Sequence, residues 1–473
     1  MNNNKLLAML KSFTPKELRG FDQYLNSDVF NADEKVNGLF YYLKDNLNGL
    51  EGGVGEKEKV IIFNKFFPKQ KYNDKKVRYL FTDLTRCTEN YLTYQALEKD
   101  EPMQMDLLSR ELAQRNCEKA YNSIYSKSRT LALDSKIKNA DFYFHQYSIQ
   151  LNHLNNVISK QKRNEKSNIE AVVENLDKFY LAKKLQLCCE IYNAQNVLSA
   201  NYRVFLLEEI LIHLRSHSYQ DTPVIGVYFQ ILLTLTDPEK EENFLKLRSL
   251  LLEHESFLSL LELREGYQYA LNYCIKKINL GNINFQKTLF EIYKITLANK
   301  VILTNNSISQ WEYKNIVTIS LRLKEYPWAK DFINEFKNYL LAGERENAFT
   351  YNMAYWHFYK KEYSKSLNLL QKVNFTDIYY QLDTRAIILK IYYELNDLDA
   401  FFYHEAAFKT FLKRNKTVSD YQRIIYKNFI KYSAKILRVS SSKSKIAALK
   451  NEIQQIKQLA DIQWLLQKVE ELI

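Results

Sequence analysis

The sequence predicts an all-α protein: stacked antiparallel helical hairpins preceded by a small helical N-terminal domain. Three observations carry that prediction. Gly 10 and Pro 6 together make up about 3.4% of 473 residues, against average usage near 12%, so the turns that many short strands require are missing. Capping signatures open helix-period segments. In the C-terminal half one apolar pattern returns at intervals of 41, 37 and 35 residues, as expected of helix pairs that share a core with their neighbours. With 46% apolar and 26% charged residues the chain is globular and has core for about three domains.

Taken in order, Thr14-Pro15-Lys16-Glu17 opens the first clear helix with a Thr cap, Pro at the first helical position and Glu three residues after the cap. Asn31-Ala32-Asp33-Glu34 repeats the device. Gly49 to Gly55 holds four of the ten glycines and reads as a mobile loop. A helix follows Asn73 and runs to about Glu98, with Val77, Leu80, Phe81, Leu84, Tyr91 and Leu92 at helical spacing. These elements make residues 1–100 a helical N-terminal domain. Residues 101–220 read as long helical hairpins, with Ser159 to Ser167 as an exposed connection. Residues 221–440 hold the repeats, and 441–473 form a closing helix.

The repeat is explicit in four segments. Tyr326, Ala329, Ile333 and Phe336 are spaced 3-4-3. Tyr363, Ser366, Leu370 and Val373 match them, Leu398, Phe401, Glu405 and Phe408 match again, and Phe285, Thr288, Ile292 and Ile295 follow more loosely. The segment from Tyr359 through Tyr363, Ser366 and Leu370 to Val373 resembles the turn and second helix of the tetratricopeptide repeat (TPR) family, and Glu325 to Ala329 is similar. Lys361 stands at the family's turn glycine, and the terminal proline is absent. The resemblance covers about residues 285–415 and implies a TPR-like right-handed α-solenoid.

It also implies a partner surface. In that family peptides lie on the concave side formed by the first helix of each pair. Counting back from Tyr326 gives Lys314, Asn315, Thr318 and Arg322, and the same offsets from Tyr363 give Tyr351, Asn352, Tyr355 and Tyr359. Lys314, Asn315, Arg322, Tyr351, Asn352, Tyr355 and Tyr359 are therefore the expected lining of a protein- or peptide-binding groove. The carboxylate clamp of some members is not expected, because Thr318 replaces an Asn and the third pair offers Ala386 and Ile387.

Catalytic and cofactor chemistry finds no support in the residues. The glycine loop lacks the Gly-Lys-Ser/Thr ending of a phosphate cradle. His404-Glu405-Ala-Ala-Phe408 has Phe408 where a second zinc ligand must stand, and His213 and His217, four apart, lack a third ligand. Cys87, Cys117, Cys188, Cys189 and Cys274 are odd in number without a C-x-x-C pair, which reads as reduced thiols. The apolar run Leu6 to Leu10 is too short for a secretory signal, and no later segment has the length to span a membrane. A cytoplasmic chain that is not an enzyme, with no metal and no cofactor, is the expectation.

The charge distribution adds a second surface. Residues 1–400 carry 53 basic and 49 acidic side chains, whereas Lys409 to Lys450 carries 12 basic residues and Asp420 alone as an acid. Arg423, Lys427, Lys431 and Lys435 are four apart, Arg438 joins them, and Ile425, Phe429, Tyr432 and Ile436 mark the other side of the same helix. This basic face is the alternative site, for nucleic acid or another polyanion. Ser440 to Ser444 is a polar joint before a last apolar stripe, Ile446, Leu449, Ile453 and Ile456. That stripe, followed by Leu465, Leu466, Val469 and Leu472, reads as the helix closing the stack, or as a short coiled-coil seam. The leading expectation is a non-catalytic scaffold or adaptor.

Overall fold

The structure, a computed structural model, describes residues 3–50, 53–160, 167–198, 202–217, 219, 221–373, 377–439, 442–456 and 458–472. Among the described residues there are 23 α-helices and no strand, only an isolated bridge between Thr304 and Ser307. No described helix is long and apolar enough to cross a membrane. The chain divides into two compact units, Met1–Gln186 and Leu187–Ile473.

Unit 1 is built from α1 (Asn3–Ser12), α2 (Pro15–Leu25), α3 (Glu34–Asn46), α4 (Glu56–Phe66), α5 (Asp74–Lys99), α6 (Glu101–Gln114), α7 (Glu118–Asp134) and α8 (Ala140–Ser159), and α9 (Ile169–Leu198) carries the boundary. The Thr14–Glu17 capping box closes on both sides, with the Thr14 amide donating to the Glu17 carboxylate at 2.8 Å and the Glu17 amide to the Thr14 hydroxyl at 3.2 Å. Asn73 caps α5 by accepting from the Lys75 amide at 3.0 Å. At α3 the cap is Asp33, not Asn31; Asn31 instead accepts the Asp33 amide, a turn that orients the true cap. Two helices depart from the sequence reading. The run Leu6, Leu7 and Leu10, too short for a signal, is the buried stripe of α1, and α4 begins directly after Gly55. Glu51 and Gly52 of the glycine loop, 161–166 of the polar connection, and Ser440 and Ser441 lie outside the described residues. Leu6, Phe21, Phe40, Phe63 and Tyr91 belong to one apolar cluster drawn from residues 6–91.

Unit 2 continues with α10 (Leu207–Ser216), α11 (Pro223–Thr236), α12 (Glu241–Glu253), α13 (Leu260–Asn279), α14 (Phe285–Ala298), α15 (Gln310–Arg322) and α16 (Tyr326–Glu335). It ends with α17 (Arg345–Tyr359), α18 (Tyr363–Leu370), α19 (Ile378–Glu394), α20 (Leu398–Arg414), α21 (Asp420–Arg438), α22 (Lys443–Gln455) and α23 (Ile462–Glu470). From α11 to α21 every helix packs on the next, and alternate helices also meet: α11 on α13, α15 on α17, α17 on α19. The repeated apolar segments start α14, α16, α18 and α20, burying Ala329 and Ile333, Ser366 and Leu370, Phe401 and Phe408.

The joints repeat too. After α15, α17 and α19 the chain passes through a left-handed residue, Lys324 (φ 62°), Lys361 (φ 61°) and Asn396 (φ 54°). In each case the following amide returns to a carbonyl five residues back: Glu325 to Ser320 at 2.9 Å, Glu362 to His357 at 2.9 Å, Asp397 to Tyr392 at 3.0 Å. This is the hydrogen-bonding scheme that ends a helix when its last carbonyls need partners. The turn forms with lysine where glycine is the usual choice.

Candidate functional site

The first helices of three successive pairs, α15, α17 and α19, share a face that is charged and rich in tyrosine. Lys314 on α15 forms an ion pair with Asp383 on α19. Its ammonium group lies 4.9 Å from the centroid of the Tyr380 ring and 5.7 Å from that of Tyr351 on α17. The other oxygen of Asp383 accepts from the Tyr426 hydroxyl on α21 at 2.5 Å. The Tyr380 hydroxyl donates to the Gln310 carbonyl at 2.7 Å, so α19 reaches α15 past the helix between them.

At the other end of these helices, Arg322 and Tyr355 both lie within electrostatic reach of Tyr359. Asp461, the residue before α23, completes this cluster in a left-handed backbone (φ 50°) and forms an ion pair with Lys390 of α19. Burial pushes the Asp461 carboxyl group up, but the charges of Lys390, Arg322 and Lys314 outweigh it and hold the group below the usual carboxylate range. Burial also pushes the Tyr355 and Tyr351 hydroxyls far above the ordinary phenol value.

Helix α23 adjoins this face through α19. Before it, the Gln458 carbonyl accepts from Asn428 at 2.8 Å and the Ala460 amide donates to the Ile425 carbonyl at 3.3 Å, both on α21. Along it, the Trp464 indole donates to Glu394 of α19 at 3.0 Å, and Lys468 meets the same carboxylate at 2.8 Å. At its end the Glu471 carboxyl group senses Lys361, in the turn after α17. The last helix thus packs on α21 and α22 and joins the C-terminal end of α19 through Glu394. Leu465 and Val469, adjacent to Trp464 and Lys468 on the helix, are fully buried in an apolar cluster that includes Leu389 of α19, Phe429 of α21 and Ile453 of α22.

The expected groove residues divide. Tyr351, Asn352 and Tyr355 were expected to line an open groove; at 1%, 0% and 8% exposure they are interior. Large rings fill the space between closely packed helices, and Asn352 satisfies the Ala348 carbonyl of its own helix. Lys314 is also recessed. Arg322 and Asn315 are exposed, and Tyr359 is half-buried. Asp383, Lys390, Glu394, Asp461, Trp464 and Lys468 were not anticipated. The one available signal was Lys390 itself, a cation inside the apolar run from Ala386 to Ile391.

On α21 the expected wholly basic face is narrower. The Arg423 guanidinium folds back to the carbonyls of Asn415 (3.3 Å) and Val418 (3.0 Å), holding the turn before the helix. Lys435 pairs with Glu452, and Arg438 lies 4.9 Å from the Phe402 ring centroid. Lys427 and Lys431 are exposed and have no ion pair among the described residues. Phe429, Tyr432 and Ile436 occupy the buried side. Among the described residues no group of three or more metal-ligating side chains forms, and His404 instead meets the Arg385 carbonyl at 2.9 Å. No family model, curated protein or solved structure matches this chain.

Proposed function

We propose that unit 2 is a TPR-like right-handed α-solenoid and that the chain is a cytoplasmic, non-catalytic scaffold or adaptor, holding a protein or peptide partner on the face shared by α15, α17 and α19. The alternating helix contacts and the three equivalent left-handed turns support the solenoid. The binding role rests on one observation, the concentration of Lys314, Arg322, Lys390, Asp383 and Glu394 among tyrosines on that face. A face required only for packing gains little from such groups, since well-packed apolar residues in place of buried ion pairs are often neutral or stabilising. Charges with tyrosine hydroxyls and rings give orientation and contact area to a bound chain. Affinity purification of the full chain tests this. The double variant Arg322→Ala/Tyr359→Ala loses the recovered partner while Lys427→Glu/Lys431→Glu keeps it; equal recovery by both overturns the proposal.

A further inference from the structure

The shared face already has an occupant, and its chemistry describes what else fits there. Helix α23 brings three side chains to it in register: Asp461 to Lys390, with Arg322 and Lys314 close by; Trp464 to Glu394 and edge-on to the Tyr393 ring at 5.1 Å; Lys468 to Glu394. Offsets of three and seven residues put all three on one side of a helix. The charges are placed in the sense the receiving side requires. Lys390 meets Asp461 at the N-terminal end of α23, with the charges of Arg322 and Lys314 within electrostatic reach, and Glu394 stands one to two turns on, where a cation is wanted. Lys390 also lies 5.8 Å from the Trp464 ring centroid and 5.7 Å from that of Phe429, so acid and aromatic ring are received by one lysine. The receiving side chains are deeply recessed: Lys390 is 5% exposed and Glu394 14%.

We infer that this face is a receptor for an amphipathic helix of the form Asp-x-x-Trp-x-x-x-Lys, and that α23 is its internal occupant, so that a partner helix of the same pattern binds by displacing α23. The inference rests on the binding role proposed above and adds its partner class and its control. Asp461 holds a left-handed backbone without being glycine, a conformation that persists only where surroundings enforce it. Its ion pair with Lys390 anchors the side chain there. A free helix with an acid at its first turn obtains the same contacts, and its N-terminal dipole adds to them without the constraint of the preceding chain.

The test uses the full chain and a fluorescein-labelled synthetic peptide of residues 458–472. Asp461→Ala/Trp464→Ala weakens the internal occupant and leaves the receptor intact; this variant binds the peptide at least tenfold more tightly than the wild-type chain. Adding Lys390→Met abolishes that binding, and a peptide carrying Asp461→Ala/Trp464→Ala does not bind. Hydrogen exchange on the wild-type chain gives a measure independent of the variant: amides of 462–470 exchange at least tenfold faster than those of α17 and α19. Absence of peptide binding by a variant that melts cooperatively overturns the inference, as does exchange of α23 only at the rate of its whole unit. A wild-type dimer that trades α23 between copies also overturns it. If the partner found by affinity purification is recovered equally by the wild type and the weakened variant, the binding role stands and the displacement falls.

Discussion

Replacing Lys324 and Lys361 by glycine is expected to stabilise the protein, against the usual effect of adding glycine. Both lysines are exposed and hold φ near +60°. A Cβ atom in that conformation costs about 1–2 kcal/mol through its contact with the following carbonyl oxygen, whereas glycine adds about 0.5–1 kcal/mol of unfolded-state entropy to be overcome. The difference leaves a gain of about 0.5–1 kcal/mol at each lysine. Asn396, whose short amide tolerates the left-handed region, gains less. Unit 2 has roughly 290 residues, so its unfolding entropy is about 0.6 kcal/mol/K and the two lysines together raise Tm by about 2–3 °C. Lys360→Gly is the control: its φ of −78° is open to any residue, and glycine there costs about 0.5–1 kcal/mol. Calorimetry and urea titration of the full chain read both. A Lys361→Gly variant no more stable than Lys360→Gly refutes the reasoning, because the left-handed turn would then not be what lysine is enduring.

Three further outcomes follow from named groups. Burial holds the His404 imidazole below its ordinary value, even though its Nε2–H donates to the Arg385 carbonyl. The unfolded chain therefore takes up a proton first as pH falls below about 6.5, and stability declines toward the lowered folded value by at most about 1.4 kcal/mol per pH unit. Tm measured between pH 5 and 8 shows this slope, and His404→Gln removes it. A thiol reagent labels one cysteine in the native chain, exposed Cys117, and five after denaturation. Cys87, Cys188, Cys189 and Cys274 are buried, and burial raises the Cys274 thiol to about 12; two fast thiols would contradict the packing. On duplex DNA, two available lysines on α21 give a salt slope of about −2, where five cations would give about −4 to −5. Elution that remains strong above ~0.3 M salt would show that Arg423, Lys435 and Arg438 are free after all.

What the sequence conveyed and what it withheld follow from the range of the interactions. Thr14 with Glu17, Asn73 with Lys75, and the starts of α14, α16, α18 and α20 were legible because each depends on residues within a few positions. The helix α1 was passed over because Leu6 to Leu10 was weighed as a secretory signal when the spacing of Leu6, Leu7 and Leu10 is that of a stripe on a helix packed against α5. Lys361 was noted as missing a glycine, yet the turn forms with it: the amide-to-carbonyl bond from Glu362 to His357 fixes the joint, and the Cβ penalty is smaller than the cost of leaving helix ends unpaired. Counting back from Tyr363 placed Tyr351 and Tyr355 on the face that meets α15 and α19. It gave no indication that their rings close that face. The partners of the site lie far apart. Lys314 meets Asp383 across 69 positions, Trp464 meets Glu394 across 70 and Lys468 meets Glu394 across 74, and no local pattern records pairs at that range.

Those long-range pairs also explain why α23 needs two kinds of contact. Asp461 and Lys468 are matched to charges that bind weakly in net terms, because desolvating each ion offsets most of the attraction. Leu465 and Val469, four and eight positions after Asp461, are fully buried in the apolar cluster that also holds Leu389 of α19, Phe429 of α21 and Ile453 of α22 and contribute about 1.5–3 kcal/mol for each side chain. The apolar residues thus add holding energy, while Asp461, Trp464 and Lys468 decide which helix is accepted and in what register. A competing helix of the form Asp-x-x-Trp-x-x-x-Lys displaces α23 most readily when it also offers apolar residues one and five positions after the Trp, the places of Leu465 and Val469, so that the same apolar cluster closes over it.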